Sequence, residues 1–161
     1  MDARLRRPVA SDAGEVAAVY VTSWNTGFRG LMPPKAHGAY QVARWERELT
    51  GGSVRWWVAL HGESIVGFVG TGPSRDPLDA NLGEVDTIAV APGTWRQGLG
   101  RVLMAAALDD LRSAGYAAAI LWTLAESEPA HAFYTATGWR ASGESRDGGS
   151  QVAFRHLLSQ R

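Results

Sequence analysis

Two glycines two residues apart, Gly98 and Gly100, sit between Trp95-Arg96-Gln97 and the apolar run that starts at Leu99. A helix N-terminus leaves several N–H groups unpaired and carries partial positive charge, so anions bind there readily. Glycines in the first turn remove Cβ atoms and let a bulky phosphate approach, or they merely permit a tight turn and close packing. Taken alone, the residues leave those two readings evenly weighted. A dinucleotide fingerprint needs a third glycine, where this chain has Leu103, and a P-loop needs a lysine after the glycine, which is absent. Just upstream, Glu84 and Asp86 alternate with Val85 and Thr87, a period that puts both acids on one strand face. Downstream, Phe133 and Tyr134 are two aromatics on a short predicted helix, a pair that is usually core.

These residues need elements to hold them. Ser11 or Asp12 is positioned to cap a helix with Val16, Val19, Tyr20 and Trp24 on one side. Pro33-Pro34 breaks the pattern, and a second helix with Val42, Trp45 and Leu49 runs to Gly51-Gly52. "VRWWVAL" and "SIVGFVGT" flank "HGE" as a hairpin, "GPSRDPLDANLG" is loop, and "EVDTIAVAP" is the next strand, closed by Pro92. "GLGRVLMAAALDDLRSAG" is an amphipathic helix with Leu99, Val102, Leu103, Ala106, Ala107 and Leu111 inward and Gly115 as a left-handed cap. "AAAILWTL" is a buried strand, "SEPAHAFYTATG" a short helix, and "WRAS" and "QVAFRHL" are two closing strands. With a short apolar start at Leu5–Val9, the order is β, α, α, three strands, α, β, α, two strands: an α/β fold with one mixed sheet and helices on its faces. No linker or repeat divides the 161 residues, so a single domain over 1–161 is expected.

Composition narrows the function. Sixteen basic and sixteen acidic residues balance, with no Lys/Arg run that would draw in nucleic acid. No window reaches the roughly 20 apolar residues of a membrane span, and the Arg-containing start lacks the apolar stretch of a signal peptide. A soluble cytoplasmic protein is the expectation. The absence of cysteine excludes disulfides, thiolate metal sites and a cysteine nucleophile. His37, His61, His131 and His156 are far apart in sequence and form no metal-ligand spacing, so no metal is expected.

"VAPGTWRQGLGRVLM" resembles motif A of the GNAT superfamily of N-acetyltransferases, Q/R-x-x-G-x-G/A after a strand ending V-x-P. "SEPAHAFYTATGW" resembles its motif B, N-x-x-A-x-x-F-Y-x-x-x-G-F, and "SWNTGFRGLMP" resembles an acceptor-wall segment of a bacterial branch that acts on small acceptors. Trp95 stands where motif A has Gln or Arg, Ser127 where motif B has Asn, and Trp139 where it ends in Phe.

The resemblance implies a mostly antiparallel sheet splayed after the fourth strand, acetyl-CoA as co-substrate and an amine of a small molecule or peptide as acceptor. It assigns the pyrophosphate to the segment Trp95, Arg96, Gln97, Gly98, Leu99, Gly100 and Arg101. Main-chain groups of Ile88, Ala89 and Val90 would hold the pantetheine arm, and N–H groups of the Thr87–Val90 strand would meet the oxyanion. Ser127, Ala130 and Phe133 would flank the coenzyme, and Tyr134 would face its sulfur. Transfer to an amine requires a proton acceptor; the family's strand-start acid maps to Glu84 first and Asp86 second. Trp24 and Phe28 would wall the acceptor, with Trp56, Trp57 and the 72–81 loop as further candidates. His131, one helical turn from Tyr134, is a surface histidine or an aid to proton transfer. Homodimers are common in such proteins. A catalytically silent acyl-CoA sensor is the rival reading, and a plain nucleotide-binding domain a third.

Overall fold

The computed structural model describes residues 2–158. Seven strands form one sheet: β1 (Arg4–Arg6), β2 (Arg55–His61), β3 (Ser64–Pro73), β4 (Leu82–Val90), β5 (Ala118–Leu124), β6 (Arg140–Arg146) and β7 (Gln151–Leu157). The helices are α1 (Ala13–Gly27), α2 (Ala39–Thr50), α3 (Leu99–Ser113) and α4 (Glu128–Ala136). The strand order is β1-β2-β3-β4-β5-β7-β6, antiparallel throughout except for the parallel β4–β5 pair. The element order matches the one expected from the sequence.

Helices cover both faces. Leu99, Leu103, Met104, Ala107 and Leu111 of α3 bury against Val69, Val85 and Leu121 on one face. On the other, Val16 and Ala17 of α1 and Trp45 of α2 meet Trp56, Val58 and Phe68. There the Trp45 ring stands edge-on to Trp56 at 5.3 Å and to Phe68 at 5.0 Å. Such ring pairs add about 0.5–1.5 kcal/mol beyond the area they bury.

Some local details depart from the sequence reading. Val102 is exposed and Met104 and Leu108 take the inward places, which rotates the buried stripe of α3. Neither Ser11 nor Asp12 caps α1 through its side chain. The Asp12 carboxylate instead accepts from Val9 N–H at 2.8 Å and from both Arg6 guanidinium nitrogens, and that pairing holds its pKa below the usual value. Gly115 does take the left-handed conformation, at φ +90°, just past the end of α3.

The feature that matters for function is where pairing stops. β4 and β5 are joined only through Leu82–Ala118, Gly83–Ala119 and Glu84–Ile120. Opposite β3, the register skips between Gly70↔Thr87 and Thr71↔Val85, leaving Asp86 as the extra residue of a bulge. Bulges sharpen the local twist and break face alternation. Accordingly Val85, Ile88 and Val90 all pack with the α3-side core, a phase change that strict alternation forbids. Glu84 and Asp86 nonetheless keep a common partner, the Arg75 guanidinium, which both carboxylates meet.

Candidate functional site

The splay between β4 and β5 opens a cavity of about 750 Å³, walled by residues 85–90, 121–124 and the facing ends of α1, α3 and α4. One wall is bare strand backbone. Ala91 N–H donates to Val66 O of β3 at 2.8 Å, so the antiparallel pattern turns the main-chain groups of Val90 and Ile88 away from β3, into the splay. Trp95 occupies one of these, its indole Nε1 donating to Val90 O at 2.7 Å. Ile88 N–H and C=O and the Val90 N–H complete the row, beside Ala89.

The second wall is the start of α3. Arg96 and Gly98 both have positive φ, +65° and +84°, so the chain turns twice through the left-handed region before Leu99. The first N–H to find an intrahelical acceptor is that of Val102, on Gly98 O at 3.2 Å. The Leu99, Gly100 and Arg101 amides precede it, and no side chain caps the helix. The two glycines divide the readings weighed above. A Cβ on Gly98 would meet nothing within 4 Å, so its backbone angle is what demands glycine. A Cβ on Gly100 would come within 3.0 Å of the Phe133 ring, so this glycine serves the packing of α4 on α3. Arg96 and Arg101 line the cavity, and Arg101 also donates to Ala136 O at 3.3 Å. Gln97 is outside the lining; its side chain turns back to Gly93 O.

Tyr134, on α4, lines the same cavity between Phe133 and Phe154, with ring centroids 5.5 and 5.7 Å away. Burial pushes its phenol up to about 12, while a hydrogen bond with Thr123 pulls slightly the other way. Buried Ser127 and half-buried Ala130 line the wall at the start of α4. His131 is tied down: its Nε2 lies 2.9 Å from Leu124 O and its ring stands against Phe154 at 5.3 Å.

The two acids share Arg75 but differ in their access to the cavity. Asp86 lines the cavity; its carboxylate pairs with the Arg75 guanidinium and accepts from Thr87 Oγ1 at 2.9 Å. Glu84 is buried outside the lining. Desolvation pushes its pKa above the usual value, partly opposed by the Arg75 backbone N–H, 3.2 Å away, and by the Arg75 charge. Arg75 thus bridges the pair from the loop between β3 and β4.

Trp24 and Phe28 close the α1 side, edge to face at 4.7 Å, and both line the cavity. Trp56 is instead a core residue bonded to Glu48 O, and Trp57 lies under the Arg7 guanidinium at 3.6 Å. Neither Trp56, Trp57 nor any residue of the 72–81 segment lines the cavity. Residues that the sequence reading missed are Thr123, Trp122 and Gln151 on the β5–β7 side, while the 72–81 candidates contribute Arg75 as the partner of the two acids. A threonine inside an apolar strand run is the single faint signal among them. Among the described residues no group of three or more His, Asp or Glu side chains converges, and no helix is long and apolar enough to cross a membrane.

Comparisons with known proteins agree with this geometry. The family model described as "Acetyltransferase (GNAT) family" matches residues 14–139. An uncharacterized N-acetyltransferase of Bacillus subtilis (strain 168) is 27% identical over 134 residues, covering 82% of this chain and 77% of that protein. The fold is similar to an N-acetyltransferase of Staphylococcus aureus Mu50, with TM-score 0.80 and 16% identity over 99% of this chain and 100% of the other. It is also similar to the PaiA N-acetyltransferase of Thermoplasma acidophilum in complex with coenzyme A, with TM-score 0.76 and 17% identity over 98% of this chain and 99% of that one. With the splayed sheet, the uncapped start of α3 and a match spanning most of its length, the chain belongs to the acetyltransferase (GNAT) family.

Proposed function

We propose that the protein transfers the acetyl group of acetyl-CoA to a primary amine of a small molecule or peptide. The observation that carries this reading is the convergence, in one cavity, of unpaired strand backbone, uncapped helix amides, a buried phenol and the Asp86 carboxylate. The related acetyltransferase bound to coenzyme A supports the choice of co-substrate.

The residues fit that molecule. The Leu99–Arg101 amides and the Arg96 and Arg101 guanidinium groups suit a pyrophosphate. Gly98 gives the turn its shape, Gln97 steadies it through Gly93, and Trp95 ties it to β4 through Val90 O. Ile88 and Val90 offer main-chain partners for the amides of the pantetheine arm beside Ala89, while Ser127, Ala130 and Phe133 flank it from α4. Bound there, acetyl-CoA supplies an activated thioester carbonyl. Backbone N–H on β4 is placed to receive the negative charge that develops on its oxygen.

Proton handling divides between two groups. An alkylamine has a pKa near about 10.4 and must lose a proton before it attacks. Asp86 is the carboxylate facing the cavity and is proposed as the acceptor of that proton, directly or through water; Glu84 stands behind it as a second, buried carboxylate. Tyr134 donates a hydrogen bond to the leaving sulfur. Full transfer from a phenol held at about 12 to a thiolate of ordinary pKa about 8.5 would be uphill by about 5 kcal/mol. Trp24 and Phe28 wall the acceptor.

Calorimetric titration with CoA, followed by acetyl transfer assays against a panel of primary amines, tests the reading. Binding with turnover on at least one amine is expected. Binding without transfer to any amine would make the protein an acyl-CoA sensor, and binding of ATP or NAD but not CoA would remove the acetyl-CoA reading altogether.

A further inference from the structure

Lys35 is the one lysine in the chain; the other fifteen of its sixteen basic residues are arginines. Arginine cannot be deprotonated at working pH and so cannot act as an acyl acceptor, whereas lysine can. The single side-chain amine lies on the segment between α1 and α2, beside the acceptor wall. Its placement is specific. Across residues 31–40 every residue is exposed except Lys35, which is half-buried. Asn25 of α1 grips its backbone at both ends, donating to Lys35 O at 2.9 Å and accepting from Lys35 N–H at 2.7 Å. The ammonium turns inward onto the faces of Trp24 and Tyr20, 4.2 and 5.6 Å from the ring centroids. Both rings line the reaction cavity. Lys35 itself stands outside the cavity lining, its amine held against two rings that do line it.

We propose that Lys35 is a self-acetylation site, acylated within the same molecule; this rests on the acetyltransferase reading above. Lys35 Nζ forms the new N–C bond as the thioester C–S bond breaks. Of the three ammonium hydrogens one stays on the amide nitrogen, one ends on the coenzyme thiol, and one passes to solvent through the cavity base. The product is neutral, so it no longer attracts the Trp24 and Tyr20 faces, and the modification changes the acceptor wall itself.

The test is incubation of the full chain with acetyl-CoA and no added amine, followed by intact-mass and peptide mass spectrometry. Expected is a single added acetyl group on the Lys35 peptide, at a first-order rate independent of protein concentration. Lys35→Arg, which keeps the cation on Trp24, should lose the modification. Tyr134→Phe should slow it at least tenfold relative to the wild type, since the same cavity does the chemistry. Equal labelling in wild type and Tyr134→Phe would mean ordinary chemical acetylation and overturn the proposal, as would no label on Lys35. The two readings fail separately. A protein that binds CoA and acetylates added amines but leaves Lys35 unmodified refutes self-acetylation alone, whereas one that binds no CoA refutes the function.

Discussion

The two ends of β4 behave as different structures joined by one residue. From Leu82 to Glu84 the strand is paired on both sides, and its glycine is packed so tightly that a Cβ on Gly83 would come within 2.5 Å of Leu111. From Val85 onward it is paired only with β3, and its other edge faces the cavity. The bulge at Asp86 separates the halves. A continuous sheet would have satisfied Ile88 and Val90 with β5; ending that pairing leaves strand backbone available to a ligand. Tight packing is concentrated at the paired end, and the strand edge left open to the cavity begins directly after it.

That contrast can be broken most directly at its two acids. Asp86→Asn is expected to lower kcat/KM by about 10²–10⁴-fold, the range for a lost general base, whereas Glu84→Gln should cost under about tenfold. Equal losses in steady-state assays would mean that the acids act as one unit and that the bulge does not divide them. Next in size, Tyr134→Phe should lower kcat about 10²-fold, in line with loss of one preorganised donor, with CoA affinity by calorimetry nearly unchanged. Because its phenol sits at about 12, no tyrosine ionisation should appear in the pH–rate profile below that value.

On the paired side, Gly83→Ala should lower stability by about 1–3 kcal/mol through overpacking against Leu111 and Tyr116. Thermal unfolding reads that loss, and CoA affinity per folded molecule should hold. A selective loss of CoA binding instead would show that the paired end shapes the open one. The smallest effect is the pH dependence carried by Glu84. Its pKa is raised in the fold, so its contribution favours the native state at low pH and is lost as pH rises through the folded value. Denaturant unfolding from pH 4 upward should show that decline in the wild type and its absence in Glu84→Gln.

Much of this was legible in the sequence, because periodicity and turn chemistry fix element order and because the motif A and motif B spacings are local. The resemblance to motifs A and B picked out Gly98, Gly100, Phe133 and Tyr134, and all four line the cavity. What escaped depends on contacts between distant segments. The bulge at Asp86 is a register property of β3 against β4, and nothing in "EVDTIAV" marks it. Val102 and Met104 are both apolar, so the angular position of the α3 stripe is settled by the sheet it meets. Trp56 and Trp57 carry no label distinguishing core from pocket. Trp95, a departure from the motif A pattern, is explained by its bond to Val90 O, which requires a folded turn to exist. Arg75 is an ordinary loop residue until β4 is placed beside it.

The position of β7 has a consequence for the order in which the protein is made. This strand lies between β5 and β6, and it brings Phe154 against the Tyr134 ring and Gln151 to the cavity wall. A ribosome delivers residues 151–157 after every other element of the sheet, so a nascent chain lacks the middle strand of that half until β7 has emerged. The phenol then has no Phe154 to pack against, and β6 has no neighbour to pair with. The wall around Tyr134 is thus completed by the last strand of the sheet to be made.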